Sequence, residues 1–135
     1  MMENDIRQLL HEIQESFSRL DMAAWYRHFH HPHIIVTPNG GTYAETFQVC
    51  EELMGASFTK LKQRGFAKST LDDSTIKRLS DNSAAASVIW SRWDHQGELM
   101  QCFGASYIFT CVAGRWGISL LATHSDSTSL IPFVT

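Results

Sequence analysis

From Ala67 to Thr123 the chain is an almost unbroken β pattern cut only by short turns. That run constrains the fold more than any other feature. Ala67–Leu79 is rich in Ser, Thr and Ile, and Ser80-Asp81-Asn82-Ser83 is a turn. Ala84–Asp94 reads as a strand, His95-Gln96-Gly97 as a hairpin turn, and Glu98–Val112 as a long strand. Ala113-Gly114 is a two-residue turn, and Arg115–Thr123 closes the run. Links this short favour antiparallel meander pairing, because a parallel pair needs a long crossover.

The half before this run is helical. Residues 4–20 form an amphipathic pattern, with Ile6, Leu9, Leu10, Ile13, Phe17 and Leu20 at spacings of three and four. Asp21 is placed as the N-cap of a short second helix whose stripe is Met22, Trp25, Tyr26 and Phe29. Pro32 ends any helix there. His33 to Thr37 is β-branched and apolar, Pro38-Asn39-Gly40-Gly41 is a turn signal, and Thr42 to Glu45 can return as a second strand. A third helix spans about Thr46 to Arg64, with Gly65 where a helix-terminating glycine belongs. The order predicts an α+β domain: a curved antiparallel sheet covered on its concave face by three N-terminal helices. Such a layout leaves a tapering cavity between helices and sheet.

The chain has 135 residues, which suits one domain with a real core. We expect that domain over 1–124, with 125–135 as a polar link and the apolar tail Leu130-Ile131-Pro132-Phe133-Val134. A net charge of −3 argues against nucleic-acid or anionic-membrane binding, since both usually need a basic surplus. No apolar run approaches the ~20 residues that span a bilayer. The opening Met-Met-Glu-Asn-Asp carries no secretory pattern, and Cys50, Cys102 and Cys111 lack C-x-x-C spacing. Reduced thiols in a cytoplasmic protein are the expectation.

Three patches carry a family resemblance over roughly residues 4–124. They are Trp25 to Gly40, the strand-turn-strand Ala84–Gly97 with Ser91-Arg92-Trp93-Asp94, and the hairpin Tyr107-Ile108-Phe109 to Gly114-Arg115-Trp116-Gly117-Ile118 followed by His124. With the element order, they make the chain resemble the nuclear-transport-factor-2-like superfamily, in its SnoaL-like small-domain group. The resemblance implies a cystatin-like cone fold, often dimeric through the sheet and often with an apolar ligand pocket. It implies no single chemistry, because this scaffold hosts enzymes and binding modules alike.

The enzymes of that superfamily are matched incompletely. Its ketosteroid isomerases place a catalytic Asp before a Pro at the end of the first strand, where this chain has Thr37 before Pro38. Their oxyanion-binding Asp falls near Ser106. Members like limonene-epoxide hydrolase carry Arg-x-Asp, which Arg92-Trp93-Asp94 resembles, but their second Asp falls near Leu121. Members like scytalone dehydratase use His, Tyr and Asp; Tyr26, His30, His33, Tyr43 and Tyr107 offer raw material without a distinctive spacing.

Four of the seven histidines lie between His28 and His33. Pro32 breaks that segment and no third ligand type stands out, so we assign no metal and place the cluster at a helix C-terminus, where imidazolium suits the dipole. His33 shares strand parity with Ile35 and Thr37, and lines the pocket if that face is concave. Asp94 either opens the turn Asp94-His95-Gln96-Gly97 or serves as a proton-transfer group. Arg92, facing inward, would need an anionic partner or ligand. Trp90 and Trp93 have opposite parity, so the sheet carries large aromatics on both faces. One face meets the helices. The other would be covered by a second subunit, giving a homodimer, or by the tail.

The resulting expectation is a small-molecule-binding domain with an apolar pocket, or an isomerase, lyase or cyclase on a small apolar substrate. Trp25, Phe29, Tyr43, Met54, Phe58, Trp90 and Arg92 are its candidate liners, and His33 and Asp94 its candidate acid/base groups. No cofactor is expected. The alternative is a non-catalytic dimerisation or partner-binding module of the same fold.

Overall fold

A computed structural model describes residues 2–37 and 40–124. The turn residues Pro38 and Asn39 and the tail 125–135 lie outside the described residues. Three helices, α1 (Met2–Ser18), α2 (Met22–Tyr26) and α3 (Phe47–Gln63), accompany six strands. These are β1 (Phe29–Thr37), β2 (Gly40–Ala44), β3 (Phe66–Ser80), β4 (Ser83–Asp94), β5 (Leu99–Val112) and β6 (Arg115–His124). They form one curved sheet in the order β2-β1-β6-β5-β4-β3. The α+β reading and the β3-to-β6 meander stand as expected.

Local chemistry explains the helices. In α1, Ile6, Leu9, Leu10 and Ile13 form the buried stripe, and full burial of one such side chain stabilises by about 1.5–3 kcal/mol. Asp21 caps α2 by accepting from the Ala24 amide at 3.1 Å. Thr46 caps α3 through the Val49 amide at 3.4 Å. Gly65, at φ +83°, lets the chain turn out of α3 into β3.

The closing hairpin is sharper than composition suggests. Ala113 (φ +53°) and Gly114 (φ +79°) both sit in the left-handed region. Two positive φ angles are what a two-residue turn between twisted strands requires. Glycine adopts that conformation freely, and alanine does so at about 1–2 kcal/mol.

Two expectations need correction. The first concerns β1 and β6, which pair parallel, with Ile34 beside Leu120 and Ile35 beside Leu121, so the sheet is mixed rather than wholly antiparallel. The second concerns the histidines. α2 stops at Tyr26, and β1 begins at Phe29, so His30, His31 and His33 lie on a strand and not at a helix end. The cause is a long-range ladder: the Ile118 amide donates to the His28 carbonyl at 2.8 Å, and Phe29 registers with Ile118. Pro32 is tolerated because it falls where β1 and β6 shift register and before β1 meets β2 at His33.

Side-chain bonds from two other strands hold that segment in place. His30 Nε2 donates to the Thr110 carbonyl at 2.9 Å, and its Nδ1 accepts from Arg115 Nη2 at 3.0 Å. Arg115 also donates to the Arg27 and Phe29 carbonyls. Gly117 makes room for this ring: a Cβ there would meet His30 Nε2 at 2.9 Å.

The core takes Ala84, Ala86, Val88 and Trp90 from β4, and Phe103, Ala105, Tyr107 and Phe109 from β5. Trp93 points the other way. Its Nε1 donates to Thr70 Oγ1 at 2.9 Å, and Thr70 and Ser91 both donate to the Asp72 carboxylate. The opposite-face reading of Trp90 and Trp93 therefore holds. Among the described residues no helix is long and apolar enough to cross a membrane.

Candidate functional site

The helices and the concave face border a partly open cavity with about 60 Å³ open to the centres of water molecules. Roughly 10–15 Å³ suffices for one water, so this space admits several waters or a small organic molecule. Ile13, Gln14 and Phe17 reach it from α1, Trp25 from α2 and Met54 from α3. The sheet supplies Ser69, Trp90, Arg92, Phe103, Ala105, Tyr107, Leu121 and Thr123.

Strand alternation sets this wall. Trp90 and Arg92 are two residues apart on β4, so both face the cavity. Register brings Phe103 opposite Trp90 and Gln101 opposite Arg92. Trp90 Nε1 donates to Tyr107 Oη at 3.0 Å, which fixes both rings deep in the wall. On the helix side, Gln14 Oε1 accepts from the Leu71 amide at 2.8 Å, and Ser18 Oγ accepts from the Ser69 amide at 3.0 Å. These bonds pin α1 across β3.

Among the described residues, Arg92 is the one charged group in the wall. Its guanidinium lies 4.6 Å from the Phe103 ring centre and 5.1 Å from that of Phe17. Nη1 donates to Gln101 Oε1 at 3.0 Å, while the buried Nε has no hydrogen-bond partner. Burial lowers the guanidinium pKa to about 10, with Tyr107 acting in the other direction. The group therefore stays ionised at neutral pH. Burial pushes the Tyr107 phenol up, so it stays neutral there and supplies no counter-charge.

The structure brings together only part of the candidate set. Trp25, Met54, Trp90 and Arg92 line the cavity. Phe29 and Phe58 stand behind its wall, packed on Trp25 at 4.8 and 5.4 Å. Tyr43 is 55% exposed on β2.

The two candidate acid/base groups lie off the cavity wall. His33 is buried among Tyr26, Phe29 and His31. Its Nδ1 donates to the His30 carbonyl at 3.0 Å, and its Nε2 has no partner. Burial lowers its pKa, so it is a neutral imidazole. Asp94 holds its turn: Oδ1 accepts from the Gln96 and Glu98 amides, each at 2.9 Å. Among the described residues no group of three His, Cys, Asp or Glu side chains is placed to hold a metal.

Phe17, Phe103 and Tyr107 are wall residues that the candidate set lacked. Phe17 lay in the recognised stripe of the first helix. The β5 pair was reachable only with the β4–β5 register, which places Phe103 against Trp90.

A curved, unclosed sheet accompanied by N-terminal helices is the layout of the nuclear-transport-factor-2-like class. The chain belongs to the family described as NTF2-like protein (DUF6841), which it matches over residues 3–126. No curated protein matches it. Among solved structures it is similar to an NTF2-like protein with a cystatin-like fold from Novosphingobium aromaticivorans. That pair has a TM-score of 0.78 and 13% identity, with 97% of this chain and 89% of that one covered. It is also similar to Aln2 from a Streptomyces species, at TM-score 0.76 and 13% identity over 93% and 91% of the chains. A third, a protein of unknown function with a cystatin-like fold from Nostoc punctiforme, gives 0.73 and 14% over 93% and 92%. At these identities the likeness shows the fold alone.

Proposed function

We propose that this domain binds a small, mainly apolar molecule in the cavity between α1, α2, α3 and the sheet. The observation that supports this most is the wall itself, a concave and mainly apolar surface formed by Ile13, Phe17, Trp25, Met54, Phe103 and Leu121. Binding rather than turnover is the reading the geometry favours. An isomerase, lyase or cyclase needs a proton-transfer group in reach of the substrate, and His33 and Asp94 both lie away from the wall. Trp25 and Trp90 make the test direct. Titration with toluene should give a saturable change in tryptophan fluorescence. A response that never saturates, up to the solubility of toluene, overturns this reading.

The second reading is a homodimer through the sheet's outer face. It draws on the face of β1 and β2 opposite buried Ile35, where Ile34 and its cross-strand partner Tyr43 are 40% and 55% exposed. Sedimentation should give a dimer at micromolar concentration, and a monomer there overturns it.

A further inference from the structure

The geometry points to a carboxylate as the class of ligand: we propose that the cavity takes a small apolar monocarboxylate, its head paired with the guanidinium of Arg92. This rests on the reading of the cavity as a ligand site, and adds the ligand's charge and the residue that receives it.

Three observations converge on Arg92. The first is isolation. Among the described residues the ion pairs are Arg7–Glu3 and Arg78–Asp81, both exposed, and neither involves Arg92. A guanidinium held against two phenyl rings without a counter-charge is expensive, because its hydration is lost and little replaces it. The second is orientation. Gln101 occupies Nη1, on the exposed side, while Nε is buried and without an acceptor. Gln101 is neutral, so the donors of the guanidinium are left without a negative acceptor, the partner a guanidinium binds most strongly. The third is rigidity. Phe17 and Phe103 hold the guanidinium at 5.1 and 4.6 Å, so the plane is set before a ligand arrives.

The rest of the wall selects the body of the ligand. Trp25, Trp90 and Met54 are apolar contacts for a ring or short chain. Tyr107 Oη accepts from Trp90 and still has its own proton to donate. One cation meets one negative charge, so a monocarboxylate is matched better than a phosphate dianion in a wall with no second cation among the described residues.

The test uses the whole protein at about pH 7 with three probes: benzoate, its uncharged isostere benzamide, and toluene. Binding is read by calorimetry and by the fluorescence of Trp25 and Trp90. Benzoate should bind at least about tenfold more tightly than benzamide, the usual difference made by a charge-assisted pair. Arg92→Met should abolish that preference while toluene still binds. Arg92→Lys, which keeps the charge and loses the fork, should retain part of it. Benzamide binding as well as benzoate, with toluene bound, overturns the carboxylate and leaves the apolar cavity standing. A preference for benzoate that survives in Arg92→Met also overturns it. No binding of any probe removes both readings.

Discussion

Replacing Arg92 with methionine should leave the protein as stable as before, or more so. The structure gives the size of the effect. Burial lowers the guanidinium pKa from 12.5 to about 10. At about 1.4 kcal/mol per unit, the ionised group is disfavoured in the fold by roughly 3 kcal/mol. The contacts to Phe17 and Phe103 return about 1–2 kcal/mol together. The bond to exposed Gln101 adds about 0.5–1 kcal/mol. Methionine fills much of the same volume without the charge. The expected change is therefore between neutral and about 1 kcal/mol of added stability. Urea unfolding followed by far-ultraviolet circular dichroism measures it, with an unchanged denaturant slope as the control for two-state behaviour. An arginine with a buried counter-ion behaves oppositely and loses about 3–5 kcal/mol when truncated. A loss of about 2 kcal/mol or more in Arg92→Met would thus refute the claim that the cation is unpaired in the empty domain.

Three further outcomes follow from the packing. Gly117→Ala should destabilise by about 1–3 kcal/mol, because the new Cβ meets a His30 ring pinned on both nitrogens; in urea titrations the loss should shrink when His30→Ala is added. Ala113→Gly should raise stability by about 1 kcal/mol by relieving the left-handed alanine, and an unchanged urea midpoint would count against that. His28, His31 and His33 all have pKa values lowered from 6.5, chiefly by burial. The folded state therefore resists protonation, so stability is full above the unfolded value and is lost as pH falls below it. The urea midpoint should drop between about pH 7 and pH 5, and less steeply in His33→Phe.

The sequence and the structure agree where the signal is local. The stripe of α1, the cap Asp21, the start of α3 near Thr46, and the turns between β3 and β6 are short-range patterns that survive folding. They part where one segment depends on another far along the chain. Met22, Trp25, Tyr26 and Phe29 share helical spacing, yet the ladder to Ile118 claims Phe29 for a strand. Nothing near residue 34 announces that its neighbour will be Leu120. The site divides in the same way. Arg92 and Trp90 were legible from parity on one strand. The aromatic pair around Arg92 was not, because Phe17 comes from a helix and Phe103 from a register that only assembly sets. His33 illustrates the opposite error. Its parity was right, since it shares the inner face with Ile35, but the inner face is longer than the cavity.

The parallel pairing of β1 with β6 also governs when the domain can close. β1 lies near the start of the chain and its neighbour near the end, so this contact spans nearly the whole domain. During synthesis the hairpin β1–β2 and the helix α1 emerge early and must wait, with Ile34 and Ile35 unpartnered along one edge, until β6 has left the ribosome. Late closure of so distant a pair makes folding slow for a chain of this size. A nascent chain stopped before Arg115 would present that open strand edge to its neighbours.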